Sequence, residues 1–339
     1  MSKVLVTGAS GFIGAHLTNA LVGRGDEVTC LVRKTSQVET LRAAGVRLLY
    51  GDVTDPDSLP AAVAGQEIVY HLAGCTTAID WRWFYRVNQR GVANIVRACA
   101  ECTCPPTVVV TSSLAAAGPV RNGHPRTETD RPTPVSHYGH SKRAGERAAE
   151  AFADRVPITV VRPPIVLGEG DRLSLPLFRS IKRFGIHVVP SQAGRRFSVI
   201  HADDLVQLLI LAGQHGARLR PHGANGRRSP EGYYFASAED SPAYGDLGRM
   251  VANALGRRRL VVIPVGKPLL WTVACTGQAV SRIRHHPQYL NLDKGREIAA
   301  GSWVCSAERA AADLDFHVAA ALPERLRQTA DWYRRQGWL

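Results

Sequence analysis

No uninterrupted apolar run in the chain reaches the ~18 residues that a membrane-spanning helix needs. The first residues also lack the charged segment followed by an apolar segment that opens a secretory signal peptide, because a strand of the fold already begins there. From these two absences we expect a cytoplasmic protein with no transmembrane segment. At 339 residues the chain is long enough for two lobes or for one large α/β unit.

Cysteines at metal-binding spacing are also missing. Cys99, Cys102 and Cys104 form a cluster, but no second pair of cysteines or histidines lies at the spacing of a zinc site. The total of seven is odd and the spacing is irregular, so we expect free thiols. The sequence gives no reason to expect a metal site.

Acidic residues are in the minority, since 29 Asp and Glu oppose 42 Lys and Arg and leave a net charge of +13. Such an excess is found in proteins that bind nucleic acid, an anionic membrane surface or an anionic cofactor. The basic residues are scattered, however, and the densest groups are only 257–259 and 227–228. We therefore interpret the excess as an arginine-rich solvated surface and expect no nucleic-acid partner.

Glycine is abundant by contrast, and three glycines open the chain. Residues 3–14 read KVLVTGASGFIG, in which a short apolar strand stops at Gly8 and helical apolar spacing starts at Phe12. Gly8 permits a tight turn, Gly11 lets the backbone approach a pyrophosphate, and Gly14 lets helix and strand pack closely. A chance cluster is the alternative, but the position directly after a strand favours a dinucleotide site. The residues expected to contact it are Gly8, Ser10, Gly11, Phe12, Ile13 and Gly14.

Strand-like and helix-like segments alternate five times up to residue 111, and the strands are continuously apolar. This pattern is typical of a parallel sheet with helices on both faces. After a sixth strand the alternation breaks down. We predict an α/β fold, a Rossmann-type doubly wound parallel sheet with a smaller C-terminal substrate-binding lobe. The predicted Rossmann domain is 1–168, with 197–212 and 232–237 returning to it, and the predicted lobe is 169–196 and 238–339.

The second strand ends without the acidic residue that would accept hydrogen bonds from a free ribose. Val32 is followed instead by Arg33 and Lys34, and then by Thr35 and Ser36. Two cations and two hydroxyls suit a 2′-phosphate. We therefore expect NADP to be preferred over NAD, with a solvated loop as the alternative interpretation.

Two further strand ends offer cofactor contacts, because ligands of such sheets lie beyond the carboxyl ends of the strands. Asp52, after the third strand, could accept from the adenine amino group while Val53 packs on the ring; an ordinary turn aspartate is the alternative. Small residues after the fourth strand would let backbone lie against the cofactor. They are Leu72, Ala73 and Gly74.

Tyr138 and Lys142 are four residues apart on a predicted helix, so their side chains share one face. A phenol has a reference pKa of ~10, and a nearby ammonium together with an oxidised nicotinamide favours the phenolate. Tyr138 could then take a proton from an alcohol, or donate one to a ketone, as hydride moves to or from nicotinamide. Ser113, at the end of the fifth strand, could hold the same substrate oxygen. A surface pair is the alternative, which the order of the motifs disfavours.

These motifs, in this order, resemble the extended short-chain dehydrogenase/reductases, the NAD-dependent epimerase/dehydratase class. The resemblance runs nearly end to end and rests on TGASGFIG (7–14), GDVTD (51–55), VYHLAG (69–74), VNQRGVANIVRAC (87–99), VVVTSS (108–113), YGHSK (138–142), VVRPPIVLGEGD (160–171) and FSVIHADDL (197–205). It implies a catalytic triad of Ser113, Tyr138 and Lys142, supported by Asn88. It also implies cofactor contacts from Thr111, Tyr138, Lys142, Pro163 and Ile165.

Two departures from the motifs of the class narrow the range of activities that we expect. Dehydratases of the class resemble Thr-Asp-Glu where this chain has Thr-Ser-Ser at 111–113, and sugar epimerases usually carry Tyr-Gly where it has Ala-Ala-Gly at 116–118. The chain is similar instead to 3β-hydroxysteroid dehydrogenases and dihydroflavonol reductases. We expect an NAD(P)-dependent oxidoreductase that interconverts a secondary alcohol and a ketone on a bulky, rather apolar substrate. A nucleotide-sugar epimerase and a non-catalytic cofactor-binding scaffold are the alternatives.

Two expectations concern surfaces. By the resemblance, the helices at 88–101 and 138–153 would pair across a homodimer. The apolar stretch 268–280 contains Trp271 and is followed by arginines and histidines, so it could make peripheral contact with a membrane. We interpret it instead as a wall of the substrate pocket or as ordinary core.

Overall fold

The computed structural model describes residues 1–121, 123–190, 194–221 and 229–339, and the arginine pair 227–228 lies outside them. Its strands, numbered along the chain, are β1 (Lys3–Thr7), β2 (Glu27–Val32), β3 (Arg47–Tyr50), β4 (Ile68–His71), β5 (Thr107–Thr111), β6 (Ile158–Arg162), β7 (Ile165–Leu167), β8 (Ile186–Pro190), β9 (Val199–His201), β10 (Tyr233–Phe235) and β11 (Val261–Val265).

Seven of these strands form one sheet in the order β10-β6-β5-β4-β1-β2-β3. All neighbouring pairs in it run parallel. β4 and β6 are buried along their whole length, which explains why the strands are continuously apolar rather than alternating. The strand order reverses between β1 and β4, the position at which such sheets bind ligands. The predicted Rossmann-type sheet is confirmed.

The helices cover both faces of this sheet. They are α1 (Phe12–Gly23), α2 (Glu39–Ala43), α3 (Pro60–Val63), α4 (Trp81–Tyr85), α5 (Gly91–Ala100), α6 (Leu114–Ala117), α7 (His137–Glu150), α8 (Leu175–Phe184), α9 (Ala202–His215), α10 (Tyr244–Ala254), α11 (Lys267–Ile283), α12 (Leu292–Ala299), α13 (Glu308–Leu314) and α14 (Leu322–Arg335). α1, α9 and α13 contribute to the core on one face. α5 and the end of α7 contribute to the core on the other.

A separate core lies in the C-terminal half of the chain. It is built from α8, α10 and α14, with Phe178 and Tyr333 packed edge to face at 5.2 Å between ring centroids. β8 and β11 form a two-stranded parallel sheet beside it, and β7 and β9 form another. The exact division of the chain into two lobes stays a prediction.

Two segments differ from the sequence-based expectation. The helix expected at 88–101 begins as an α-helix only at Gly91, because Arg86–Arg90 form a π-helical turn. The interpretation of 268–280 as ordinary core is wrong, because in α11 only Ala274 and Ser281 are buried. α12 and the loop before it cover one side of α11, and nothing in the described chain covers the other. None of the described helices has the length and apolarity to cross a bilayer.

Candidate active site

The glycine turn after β1 has the tight geometry that its spacing predicts. Gly8 adopts a φ of 75°, and a Cβ on it would lie 2.7 Å from the backbone nitrogen of Ala73. A Cβ on Gly14 would lie 2.1 Å from the Gly8 carbonyl oxygen, so α1 can approach β1 only because this residue is glycine. Gly11 occupies the N-cap of α1 and brings no capping side chain. The first N–H groups of α1 are thus available to an anionic group, as a pyrophosphate site requires.

The residues expected around the adenosine lie at neighbouring strand ends. Arg33 is exposed directly after β2, and its backbone nitrogen donates to Ser36 Oγ at 3.1 Å. Asp52 accepts from the backbone nitrogen of Thr54 at 2.8 Å, which is the contact of an ordinary turn aspartate. Val53 is buried against Gly91. The contacts of Arg33, Lys34, Asp52 and Val53 with a cofactor stay predictions.

The fourth and fifth strands end on either side of Lys142. Its ammonium donates to the Thr111 carbonyl at 2.8 Å, and it would lie 3.2 Å from a Cβ on Gly74. A side chain at Gly74 would therefore displace Lys142. Burial lowers the pKa of Lys142 to about 8, against the opposing effect of the Glu146 carboxylate. Leu72 and Ala73 precede Gly74 at the same strand end, where the sequence predicts cofactor contacts.

Ser113 and Tyr138 come together although they belong to different elements. Ser113 is the N-cap of α6, and its Oγ accepts from the Ala115 backbone nitrogen at 3.1 Å. Tyr138 lies in the first turn of α7, with its ring 6.0 Å from that of Phe84. Burial raises the pKa of Tyr138 to about 12, while a hydrogen bond with the Ser113 side chain opposes the shift. The arrangement puts a protonated phenol beside a hydroxyl at a partly buried position.

Asn88 fixes the position of α7 relative to the loop after β4. It lies in the π-helical turn, and its side chain exchanges hydrogen bonds with the Cys75 backbone at 2.8 and 2.9 Å. It also donates to Ser141 Oγ at 2.9 Å. Gly145 allows the close contact, since a Cβ there would lie 2.2 Å from the Asn88 carbonyl oxygen. Because π-helical turns often occur at functional sites, this geometry agrees with the supporting position expected for Asn88.

The segment after β6 forms a side of the same region. The Pro163 carbonyl accepts from the Leu114 backbone nitrogen at 2.8 Å, which places it next to Ser113. Pro163 is buried, whereas Ile165 is 37% exposed at the start of β7. Their proposed contacts with nicotinamide stay predictions.

α12 covers the start of the tyrosine helix, a contact that no motif predicted. The Asp293 carboxylate accepts from the backbone nitrogens of His137 at 2.7 Å and Tyr138 at 3.0 Å. Glu297 accepts from Ser136 Oγ, the N-cap of α7, at 2.6 Å. Lys294 extends its ammonium to 5.8 Å from the centroid of the Tyr138 ring. The sequence signals only a helix start at Asn291; it contains no sign that this helix reaches residue 138.

Lys294 is the cation that acts most directly on Tyr138. Its positive charge lowers the pKa of the phenol, in opposition to burial. Burial alone would lower the pKa of Lys294, but the Glu297 carboxylate, 2.5 Å away, raises it, so Lys294 is charged at neutral pH. The sequence assigned this tuning to Lys142; the structure adds a second cation.

The family follows from comparison with known proteins. The model of the NAD dependent epimerase/dehydratase family matches residues 4–224, more than half of the chain. The chain belongs to this family. The resemblance to extended short-chain dehydrogenase/reductases is thereby confirmed.

Relatives within the family include reductases and dehydrogenases. The chain is 31% identical to the ceramide reductase of Caulobacter vibrioides, with 99% of this chain and 96% of the relative covered. It is 28% identical to the 3 beta-hydroxysteroid dehydrogenase/Delta 5-->4-isomerase of Mycobacterium tuberculosis, with 76% and 70% covered. The UDP-glucose 4-epimerase of Thermus thermophilus in complex with NAD has the same fold, at a TM-score of 0.74 and 22% identity over 98% of both chains.

The C-terminal half of this chain contains a cavity of about 460 Å³. Its walls include Val189 of β8, Val262 and Pro264 of β11, Tyr244 of α10 and Ile298 of α12. Ile298 lies one helical turn beyond Lys294, so α12 contributes to both the catalytic region and the cavity wall.

A second polar cluster lies near the start of α1. The ligand atoms of His16, Glu169 and Asp203 lie within 4.8 Å of one another, as a metal site would require. Both ring nitrogens of His16 are already hydrogen-bonded, to the Asp203 carboxylate at 2.7 Å and to the Glu169 carbonyl at 2.8 Å. We interpret the cluster as a hydrogen-bonded link between α1 and α9.

Proposed function

We propose that the protein is an NADP-preferring oxidoreductase that interconverts a ketone and a secondary alcohol on a long-chain lipid of the ceramide type. The observation that carries the chemistry is the partly buried Tyr138 phenol beside the Ser113 side chain, with the Lys294 ammonium 5.8 Å from its ring centroid. The lipid class is supported by the similarity to a ceramide reductase over nearly the whole of both chains. The wall next to Ser113 agrees with an apolar substrate, because Leu114, Ala115, Ala116 and Ala117 are all buried around it.

The chain's own residues would handle the proton and the substrate oxygen. In the reductive direction Tyr138 donates its phenolic proton to the carbonyl oxygen, and Ser113 donates a hydrogen bond that holds the same oxygen in place. Lys294 and Lys142 stabilise the phenolate left behind. In the oxidative direction the proton returns to Tyr138 from the alcohol.

The residues present fit a nicotinamide dinucleotide. The glycine turn holds uncapped N–H groups where a pyrophosphate would lie, and Arg33 and Lys34 follow the strand end where a 2′-phosphate would lie. Lys142 would also hold the nicotinamide ribose. The bound cofactor supplies or accepts the hydride. A homodimer and a cytoplasmic location stay predictions.

The alternative activity is epimerisation of a nucleotide sugar. It is favoured by the family's own range and by the fold shared with UDP-glucose 4-epimerases. Such an enzyme would show substrate turnover without net change in the cofactor. A non-catalytic scaffold would bind the cofactor and turn over nothing.

A substrate panel followed through NADPH absorbance tests the proposal. The purified protein is mixed with NADPH or NADH and with a ceramide whose secondary alcohol is oxidised to the ketone, a 3-ketosteroid, or UDP-galactose. We expect NADPH consumption with the keto-ceramide, absent in the matched variant Tyr138→Phe. Conversion of UDP-galactose without NADPH consumption would overturn the proposal in favour of the epimerase. Cofactor binding with no turnover of any substrate would contradict it as well.

A further inference from the structure

Acidic residues are absent from two long segments of the C-terminal half. Residues 172–202 hold six Lys or Arg and residues 247–292 hold seven, and neither segment contains Asp or Glu. The acids that flank the second segment, Asp246 and Asp293, pair with Arg249 and Arg296. The net charge of +13 is therefore concentrated in part on one region rather than spread evenly.

The same two segments carry exposed aliphatic side chains. β8 and β11 pair in parallel register, with Val188 opposite Ile263, and their outward side chains are 53% and 40% exposed. Val261, on the same side of β11, is 59% exposed. α11 begins two residues after β11 ends, and its outer side exposes Leu269, Val273 and Ile283. We call these six residues the apolar face.

The other sides of the same elements contact the rest of the protein. Val189, Val262 and Pro264 point away from the apolar face and line the cavity. In α11, Gly277 lies so close to the loop before α12 that a Cβ on it would be 1.9 Å from the Leu290 carbonyl oxygen. Trp271 packs on Gly295 of α12. The elements that carry the apolar face thus also contribute to the cavity wall and contact the helix that carries Lys294.

Exposed cations lie on the same two segments as this face, and the exposed acid Asp246, just before the second segment, pairs with Arg249. The exposed ones are Lys182, Arg183, Arg258, Arg259, Lys267, Arg282 and Arg284. An apolar surface on segments with this excess of cations is complementary to an anionic lipid surface, in which aliphatic side chains enter the boundary of the acyl chains and basic side chains meet the phosphates.

We propose that the apolar face docks this protein peripherally on an anionic membrane. Val188, Val261 and Ile263 of the strand pair and Leu269, Val273 and Ile283 of α11 enter the lipid boundary, and the surrounding Lys and Arg contact lipid phosphates. Docking in this orientation holds the wall of the cavity against the bilayer surface. It does not depend on the substrate class proposed above.

Vesicle co-sedimentation of the full-length protein tests the docking. The vesicles are phosphatidylcholine alone, or phosphatidylcholine with about one third phosphatidylglycerol. We expect binding to the anionic vesicles and release at high salt, because salt screens the phosphate contacts. We expect at least about fivefold weaker binding for Ile263→Ser/Leu269→Ser/Val273→Ser, and also for Arg258→Gln/Arg259→Gln.

Control variants come from α2 and from β3, an edge strand of the large sheet. Tyr50→Ser removes an exposed apolar residue, and Arg42→Gln/Arg47→Gln removes two exposed cations; binding should stay unchanged in both. Circular dichroism and thermal unfolding confirm that each variant folds. The docking is refuted if the wild-type protein stays in the supernatant with anionic vesicles, or if the controls lose as much binding as the variants. It is also refuted if the triple variant binds vesicles normally but turns a dimer into a monomer in light scattering, since the face would then join two copies.

Discussion

The sheet beneath Ser113 and the outer surface of the C-terminal half differ in which side chains they bury: the first buries charged groups and the second exposes aliphatic ones. Beneath Ser113, the large sheet buries charge completely: Arg162 and Glu146 have no exposed side-chain area and meet at 2.7 Å. Around α11, aliphatic side chains face solvent between cations. A buried charge needs a counter-charge and hydrogen bonds, whereas grouped exposed aliphatic side chains are the feature on which the proposed lipid contact rests.

The buried pair is held by several partners. Glu146 accepts from Arg162 Nε at 2.7 Å and from Ser112 Oγ at 2.6 Å, and Arg143 adds a contact at 3.1 Å. The guanidinium of Arg162 also stacks 4.4 Å above the Tyr233 ring. Because Ser112 precedes Ser113 and Glu146 lies one turn after Lys142, this network fixes β5, β6 and α7 relative to one another.

Glu146→Gln should have the largest effect on stability. It leaves the Arg162 guanidinium buried without a full counter-charge, which costs about 3–5 kcal/mol in the free energy of unfolding. Urea denaturation measures the loss. As a control, Glu324→Gln removes an exposed partner of Arg327 and should change the free energy of unfolding by less than about 1 kcal/mol. Equal losses of unfolding free energy in the two variants would show that the buried network stabilises the protein no more than an exposed ion pair does.

Lys294→Met should slow the oxidative reaction about tenfold at neutral pH, which corresponds to about 1.4 kcal/mol. Loss of the cation raises the pKa of Tyr138, so less phenolate is present at a given pH. The rising limb of the kcat profile, which follows deprotonation of Tyr138, therefore moves to higher pH. Lys294→Arg keeps the charge and should restore the profile. A kcat profile that does not move in Lys294→Met would mean that α12 contributes packing alone.

Arg33→Ala tests the cofactor preference. We expect the Kd of NADPH to rise about five- to tenfold and the Kd of NADH to change less than about twofold, because only NADPH has the 2′-phosphate. Fluorescence titration measures both constants. The matched control is Arg47→Ala, which replaces an exposed arginine at the start of β3. It should change neither the Kd of NADPH nor that of NADH. Tighter binding of NADH than of NADPH by the wild-type protein would contradict the predicted preference.

Leu269→Ser/Val273→Ser should have the smallest effect. Leu269 is 54% and Val273 is 42% exposed, so the free energy of unfolding should fall by less than about 0.5 kcal/mol per residue. Phe178→Ala, in the buried core of the same half, should cost about 3–5 kcal/mol. Thermal unfolding without lipid compares the two, and a large loss in the α11 variant would mean that its outer side is packed against protein.

The large sheet could be predicted in detail because its signals are local. The predicted parallel sheet of continuously apolar strands is present, and the glycine turn has the geometry that its spacing requires. The approach of Ser113 to Tyr138 was also predictable, since β5 ends beside the start of α7 in any sheet of this topology. Asp52 was less certain, because a turn aspartate and a cofactor ligand have the same sequence signature.

The C-terminal half could not be predicted to the same depth. In the sequence, Lys294 and Glu297 resemble an ordinary solvated pair three residues apart on a helix. Their position over Tyr138 depends on contacts between residues more than 150 positions apart. The exposure of α11 was missed for a related reason, since apolar residues at helical spacing are as typical of a core helix as of a membrane-surface helix.

The sequence by itself determined the Rossmann-type sheet and the glycine turn, because each follows from backbone preferences and periodicity over a few residues. The catalytic set of Ser113, Tyr138 and Lys142, which the family resemblance implies, stays a prediction. Only the tertiary structure decided that α12 brings a second cation to Tyr138, that Arg162 and Glu146 neutralise each other beneath it, and that α11 leaves an apolar face uncovered. The physical reason is that burial and charge compensation are properties of the packed chain. Neither is set by a residue together with its neighbours in sequence.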